Sequence, residues 1–265
     1  MTNTRPSCYE GHPHEAFHFN VNCKHCSLHE NRIGEKAVGS AGPDNITDTK
    51  LIVISDYPFH YEAKAGYPMY DNVNERSSKT DQWGNAKGLP GWKNAGATLR
   101  DYLSNLFALD SYNEVWYTNA VHCPPKKTKF VTDRHIKACV DKWLHDELLL
   151  LDKHIPSVPI LIAGTTAFKA IKAYDPNLKR SLTTLNAARR TREHKLGNHP
   201  LVFTINPAPI GKGEMRIETE MRQKRDFTRE ITNVKTIPMR DLIGSPSLIF
   251  AFDLEPLQDY IDILE

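Results

Sequence analysis

The sequence predicts an α/β fold, a three-layer sandwich in which a mostly parallel four-stranded sheet has helices on both faces. Three observations predict it. Short apolar runs rich in β-branched residues alternate with longer segments of helical periodicity. Each apolar run ends in turn or polar residues, and 40% of the 265 residues are hydrophobic, which is enough for one large core. We therefore expect a single domain that comprises residues 1–265.

Each element has its own signal in the sequence. Four apolar runs predict the strands, at 50–56, 114–122, 158–164 and 201–207. Helical periodicity, with Thr or Asn at plausible N-caps, predicts helices at 94–109, 132–155 and 164–174. The polar stretch 71–92 is predicted to be an inserted loop. In the C-terminal extension, residues 236–265, the run 247–252 predicts an edge strand and the amphipathic end predicts a short helix.

Charge and targeting signals indicate the cellular context. The formal net charge is only +2, so the total predicts no anionic partner, although basic residues cluster at 124–130, 187–195 and 221–229. No apolar run reaches the ~20 residues that cross a bilayer, and the N-terminus lacks the apolar core of a signal peptide. We expect a monomeric intracellular protein, cytoplasmic or nucleoid-associated, that does not bind membranes.

Five cysteines predict metal or redox chemistry rather than a disulfide framework, because cytosolic thiols stay reduced. Cys23 and Cys26 form a C-x-x-C motif. Cys123 and Cys139 lie far along the chain, with fifteen residues between them. Cys8 is left over.

Three polar motifs follow three of the predicted strands. They are SDYPFHY at 55–61, TNAVHC at 118–123 and NPAPIGKG at 206–213. Ligands of parallel α/β sheets bind at the carboxyl ends of the strands, so we expect these motifs to form one site.

The order of these motifs resembles that of the iron-sulfur uracil-DNA glycosylases called family 4, from about Cys23 to Gly213. The residues in register with the first motif of that family are Pro58, Glu62, Gly66 and Pro68. Asp56 takes the place of the family's Glu, and Met69 takes that of its Phe. The resemblance implies a uracil-DNA glycosylase-like fold with an N-terminal cluster-binding segment at residues 1–48.

The other two family motifs match with one substitution. Asn119 followed by AVHCPP matches the central motif, and NPA matches the last, with Asn206 where the family has His. A His-Pro pair at His199 and Pro200 precedes its strand instead of ending it, so we do not count it as a match.

The resemblance implies that Cys23, Cys26, Cys123 and Cys139 bind a structural 4Fe-4S cluster, which commonly takes four thiolates. A zinc ion with four cysteine ligands is the alternative, because tetrahedral sulfur ligation suits zinc equally well. A second metal, held by Cys8 with the histidines at 12, 14 and 18, is a further possibility. An exposed, mobile His-rich tail is the other interpretation of that segment.

The implied reaction cleaves the bond between deoxyribose and uracil, or a related modified pyrimidine, and leaves an abasic site. Positive charge develops on the sugar and negative charge on the base, so the site needs an anion and hydrogen-bond donors. Asp56 could stabilise the sugar and position water, and Asn206 could donate to the leaving oxygen. The alternative for Asp56 is to cap the following turn.

Recognition in this family requires a base flipped out of DNA. Asn119 could bind the edge of uracil through its amide acceptor and donor, or could simply form a turn at the end of its strand. Met69 stands where the family has its stacking Phe, and Phe59, Tyr57 or Tyr70 could stack on the base instead. Phe59 could also exclude a methyl group on pyrimidine C5. Core packing is the ordinary alternative for any one of these rings.

DNA would be held by the basic clusters and by the last motif. In that motif Lys212 could neutralise a phosphate, and Ile210 could wedge into the vacated base stack. Two functions from different classes remain. One is an active DNA glycosylase, and the other is a catalytically silent, DNA-binding relative that acts as a sensor or as a replication or repair accessory protein.

Overall fold

The chain folds around one five-stranded sheet. A computed structural model describes residues 23–70, 79–80, 86–87, 94–190, 194–207, 250–251 and 253–263. The strands are β1 (Leu51–Ser55), β2 (Lys79–Thr80), β3 (Ala86–Lys87), β4 (Val115–Asn119), β5 (Ile160–Ala163), β6 (Lys195–Leu196) and β7 (His199–Thr204). The four predicted strands are confirmed as β1, β4, β5 and β7.

The strand order of this sheet is β4-β1-β5-β7-β6. β4, β1, β5 and β7 run parallel, whereas the short β6 is antiparallel to β7. The sheet thus has one strand more than predicted, because two residues fold back onto β7. β2 and β3 form a separate antiparallel pair within the stretch predicted to be a loop. We call the edge where the four parallel strands end the carboxyl edge.

Helices cover both faces of the sheet. They are α1 (His60–Ala65), α2 (Ala95–Phe107), α3 (Asp133–Cys139), α4 (His145–His154), α5 (Thr165–Tyr174), α6 (Pro176–Ser181), α7 (Leu185–Arg190) and α8 (Pro256–Asp262). A five-residue π-helical segment, Val140–Leu144, joins α3 to α4. All three predicted helices are confirmed, and the one at 132–155 contains this π-helical turn.

Local capping explains where two of these helices begin. The side chain of Asn94 accepts a hydrogen bond from the backbone N–H of Ala97 at 2.8 Å, which starts α2. Thr132 and His135 form a reciprocal capping box that starts α3.

The core lies on both sides of the sheet. Ile52 and Ile54 of β1 pack with α3 to α7, and Leu51 and Val53 pack with α2 and α8. Every residue of β1 is buried, so a continuous apolar run marks this strand. Burying one such side chain stabilises the fold by about 1.5–3 kcal/mol. Packing on both faces therefore fixes the sheet and with it the carboxyl edge.

The C-terminal extension joins the core through helical residues. The run 247–252 is predicted to be a strand, but its described residues Phe250 and Ala251 are helical, so this prediction is wrong for them. Phe250 is fully buried, with its ring edge-on to Tyr102 of α2 and the centroids 5.1 Å apart. Its apolar character thus reflects packing against a helix. The predicted amphipathic end is confirmed as α8.

A buried ion pair ties this extension to the sheet. Nε of Arg189 donates to Asp253 at 2.7 Å, with the two side chains 7% and 0% exposed. Thr204, the last residue of β7, donates to the same carboxylate oxygen at 2.9 Å. Arg189 belongs to the basic cluster 187–195 that was predicted to meet phosphates. That prediction is wrong for Arg189, because its guanidinium is committed to Asp253 inside the protein.

No helix among the described residues is both long enough and apolar enough to cross a membrane.

Candidate functional site

The carboxyl edge is rigid where β1 and β4 end. The backbone N–H of Ala120 donates to the carbonyl of Ser55 at 2.8 Å, and that of Val121 donates to the carbonyl of Asp56 at 3.1 Å. Backbone hydrogen bonding between the two chain segments thus continues one residue beyond both strands. The side chains that follow β1 and β4 therefore have fixed starting points.

Asp56 caps helix α5. Its Oδ1 accepts hydrogen bonds from the backbone N–H groups of Thr166, at 2.6 Å, and Ala167, at 3.0 Å. A carboxylate in this position satisfies helix-terminal amides and interacts favourably with the helix dipole. Burial raises the pKa of Asp56 above its ordinary value, and the hydrogen bonds to the carboxylate oppose this rise. A capping role is therefore realised, on α5 rather than on the turn that follows β1.

Gly164 explains why this cap comes from another strand. The residue lies immediately before α5 and has no side chain that could cap it. Its φ of +113° is one that other residues rarely adopt, and a Cβ there would lie 2.3 Å from Oδ2 of Asp56. Glycine therefore leaves room for the carboxylate.

Asn206 lies beside Asp56, as the sequence predicted for residues at two strand ends. Its Nδ2 donates to Oδ2 of Asp56 at 3.0 Å, across 150 positions of sequence. His199 begins β7 at the opposite end of the strand, where its Nδ1 bonds the carbonyl of Val158 at 2.7 Å. The His-Pro pair is therefore remote from the carboxyl edge.

Asn119 is fully buried at the end of β4 and lies opposite Ser55 in the parallel register. The hydroxyl of Ser55 donates to Oδ1 of Asn119. Nδ2 of Asn119 has no hydrogen-bond partner among the described residues. Leaving a buried donor unpaired costs about 1–3 kcal/mol, so this atom is a candidate ligand-binding group.

A buried polar network lies directly before Asn119 on β4. Glu147 of α4 accepts hydrogen bonds from Nε1 of Trp116, at 2.7 Å, and Oγ1 of Thr118, at 2.9 Å. Ser40 lies 2.8 Å from the same Thr118 hydroxyl. Burial raises the pKa of Glu147 to about 7, against the effect of its hydrogen bonds. Sequence reasoning missed Glu147, because an acidic residue in a helical pattern normally indicates the solvent face.

The segment after β1 is organised by Glu62. Its carboxylate accepts hydrogen bonds from the backbone N–H of Phe59, at 2.6 Å, and from that of Met69. One buried side chain thus closes both ends of the turn that contains α1. Burial raises the pKa of Glu62 to about 7, while the two backbone hydrogen bonds and the positive charge of Arg100 oppose the rise. A Glu at the third position of a helix is a known capping signal, which could have identified this role.

Met69 is held in an uncommon conformation at the end of the same turn. Its φ is +51°, and Nε of Arg100 donates to its carbonyl at 3.2 Å. Gly96 of α2 lies against this backbone, since a Cβ on it would come within 2.3 Å of the Met69 carbonyl oxygen. The side chain of Met69 is buried on the same face of the sheet as Val53.

Aromatic rings line the start of this turn. Phe59 is 38% exposed, and its ring centroid lies 5.6 Å from that of the half-buried Tyr57. Tyr57 also packs against the core under α5. Phe59 is therefore the ring in this pair that an external ligand could reach.

The N-terminal segment runs beside the loop after β4. The backbone N–H of Ile33 donates to the carbonyl of Pro124 at 2.7 Å, and that of Val38 donates to the carbonyl of His122 at 2.8 Å. These bonds bring the C-x-x-C motif towards the loop that carries Cys123.

The four predicted ligands are free thiols that belong to, or pack against, the core on one face of the sheet: Cys23, Cys26, Cys123 and Cys139. Burial raises the pKa of the Cys123 thiol to about 11, and the neighbouring cysteines add to the rise while Arg32 opposes it. Nη1 of Arg32 lies 2.9 Å from the Cys23 carbonyl and 3.8 Å from Sγ of Cys123.

This donor set is compatible with a metal cluster. Four thiolates are the usual ligands of a 4Fe-4S cluster, and a guanidinium beside them would offset their negative charge. No three or more His, Cys, Asp or Glu side chains in the described part of the chain are arranged to hold a metal ion. The cluster and the zinc alternative therefore both stay predictions.

Only some of the other residues predicted to contact DNA are among the described residues. Lys126, Lys127 and Lys129 are exposed after β4. Ile210 and Lys212 lie outside the described residues, as do Cys8 and the cluster 221–229.

Neither the models of known protein families nor the curated proteins compared with this chain gave a match. A function can therefore be proposed only from the residues and their geometry.

Proposed function

We propose that the protein is a DNA glycosylase that hydrolyses the N-glycosidic bond of uracil, or of a related modified pyrimidine, flipped out of DNA. The observation that carries this proposal is the hydrogen bond between Asp56 and Asn206. Sequence reasoning selected these two residues for one reaction, and they meet at the carboxyl edge. Asp56 follows β1, the strand next to β4, which ends in Asn119 with its unpaired Nδ2.

Each group has a defined part in the reaction. The carboxylate of Asp56 stabilises the positive charge that develops on deoxyribose and orients the attacking water. Asn206 holds this carboxylate, and its amide provides the hydrogen-bond donor for the oxygen of the departing base. Unlike a histidine, it carries no positive charge, so the rate should be modest.

Recognition uses other residues near the carboxyl edge. Asn119 binds the Watson-Crick edge of the base, while the exposed ring of Phe59 provides an apolar contact to its face. Met69 is buried in the core and so is not expected to contact the base. The exposed lysines after β4 supply positive charge for phosphates.

The four cysteines hold a structural cluster in this proposal. A single zinc ion with the same four ligands is the alternative. When bound, the cluster crosslinks the N-terminal segment, the loop after β4 and the end of α3. The reaction itself needs no electron transfer.

Excision from a defined oligonucleotide tests the proposal. Single- and double-stranded DNA with one uracil would be incubated with the protein, treated with alkali and examined for cleavage at that position. We expect cleavage by the wild type and a loss of at least about 100-fold in Asp56→Asn, with DNA binding retained. Asp48→Asn is the matched control, because Asp48 is exposed just before the other end of β1.

One observation favours the silent, DNA-binding relative as a second candidate. The Asp56 carboxylate is already engaged by three hydrogen bonds and so has an adequate structural role as a helix cap. This candidate predicts binding of the same oligonucleotides without cleavage. Activity that persists in Asp56→Asn would contradict the catalytic role of Asp56.

A further inference from the structure

Ser55 controls the orientation of the Asn119 amide. The two residues are register partners on neighbouring parallel strands, and both are buried. The Ser55 hydroxyl donates its proton to Oδ1 of Asn119. In the described residues this oxygen is the one acceptor recorded for that hydroxyl.

This bond decides which way the amide faces. If the Asn119 amide were rotated by half a turn, Nδ2 would face Ser55, and the serine proton would lose its recorded acceptor. A buried hydroxyl without an acceptor is unfavourable, so the observed orientation is preferred. The unpaired Nδ2 is then presented as a donor, while Oδ1 keeps a second lone pair.

We infer that Ser55 is a positioning residue that makes this site select bases with an oxo group over bases with an amino group. The inference rests on the proposed function and adds a chemical basis for its specificity. An amide fixed in this orientation matches a ring N–H beside a carbonyl oxygen, as in uracil. Cytosine presents the reverse pattern, an acceptor nitrogen beside an amino group, and would meet Nδ2 with another donor.

The wider surroundings support a fixed amide. Ala120, the next residue, is bonded through its N–H to the carbonyl of Ser55 at 2.8 Å, so the two strand ends cannot separate. Thr118, the preceding residue, is held by Glu147 at 2.9 Å. Rotation about the side-chain bonds of Asn119 is therefore the remaining freedom, and Ser55 restricts it.

Base selectivity is the readout that a merely structural role would not change. Excision of uracil and of cytosine would be compared in otherwise identical oligonucleotides, for the wild type, Ser55→Ala and Ser55→Cys. A well-formed pair of hydrogen bonds gives about 1–3 kcal/mol of discrimination, so we expect the uracil-to-cytosine ratio to fall by about 10–100-fold in Ser55→Ala. Ser55→Cys should be intermediate, because a thiol is a weak donor.

Ser40→Ala is the matched control. Ser40 is also a buried serine, and its hydroxyl lies 2.8 Å from that of Thr118, but it has no recorded contact with Asn119. We expect this variant to lose stability and to keep the base ratio. An unchanged ratio in Ser55→Ala, or an equal fall in Ser40→Ala, would overturn the inference.

A binding experiment separates this inference from the proposed function. The side-chain amide resonance of Asn119 would be followed by NMR during titration with free uracil and, separately, free cytosine. We expect uracil to shift the resonance at lower concentration than cytosine in the wild type, and the preference to be lost in Ser55→Ala. That result, together with no excision, would refute the proposed glycosylase activity but would support the role of Ser55 in base selection. Equal responses to both bases in the wild type would refute the inference whether or not the protein is an enzyme.

Discussion

Glu147→Gln tests the buried network on β4. Glu147 is fully buried, and both of its oxygens accept hydrogen bonds, from Trp116 and Thr118. Glutamine has the same shape and can accept from Trp116 with its oxygen. Its nitrogen can donate to Thr118, whose hydroxyl then donates to Ser40. The substitution therefore keeps the contacts with Trp116 and Thr118 and removes the titrating group.

The size of the effect follows from the pKa. Burial raises the pKa of Glu147 from 4.5 to about 7 in the folded protein. Because the folded state binds this proton more tightly, its stabilising effect is complete below pH 4.5 and is lost as the pH rises through 7. This difference in proton affinity between the folded and unfolded states corresponds to about 3 kcal/mol. Glu62 has a similar shift, so the wild type should lose stability over this range from two groups.

Urea unfolding at about pH 5 and about pH 8, followed by tryptophan fluorescence, measures this change in stability with pH. We expect Glu147→Gln to resemble the wild type at the lower pH. At the higher pH it should be more stable by about 2–3 kcal/mol, which is a midpoint increase of about 1 M urea. Glu35→Gln, an exposed change, should shift neither midpoint.

Parallel behaviour of Glu147→Gln and the wild type across this range would refute the reasoning. It would mean that Glu147 does not bind a proton more tightly in the folded protein. A variant that is less stable at both pH values would show that the glutamine cannot form the substitute hydrogen bonds.

Four further substitutions, at three glycines and one cysteine, have expected outcomes. Gly164→Ala should destabilise the fold by more than about 2 kcal/mol and reduce any excision, because φ is +113° and the new Cβ meets a carboxylate at 2.3 Å. Gly34→Ala, also at positive φ but in open space, should cost only about 1 kcal/mol in the same thermal-melting assay and leave excision unchanged. Gly42→Ala should lower the free energy of unfolding by about 1–3 kcal/mol, measured by urea unfolding, because its Cβ would lie 2.2 Å from the ring of Trp116. Cys139→Ser should abolish the broad absorption at the blue end of the visible spectrum of anaerobically purified protein, and no such absorption in the wild type would contradict the iron-sulfur prediction.

The four parallel strands and most helices could be predicted because their signals are local. The apolar runs around Leu51 and Ile160 are buried on both faces, so every residue of the run carries the signal. The run around Phe250 is also apolar, but Phe250 itself packs against α2 from a helix. A short apolar run does not by itself distinguish these two cases.

The candidate site was predicted only in part. Asp56 and Asn206 follow parallel strands, so topology alone places them near each other. The role of Glu62 in closing the turn, and that of Arg100 in holding Met69, depend on contacts between residues up to 31 positions apart. Arg189 lies in a basic run that is typical of an exposed surface, and its partner Asp253 is 64 positions away. Such pairings have no local signal.

The π-helical segment Val140–Leu144 allows Cys139, before it, and Glu147, after it, both to face the core. Glu147 lies eight positions after Cys139, and eight steps of a regular α-helix would leave their side chains about 80° out of phase. A π-helical turn accommodates one extra residue, so the effective separation is seven steps, which is within about 20° of two full turns. Both side chains can then point inward, one towards the cysteine-rich part of the core and the other towards β4. Regular α-helical winding over the same eight positions would instead turn one of the two side chains out of the core.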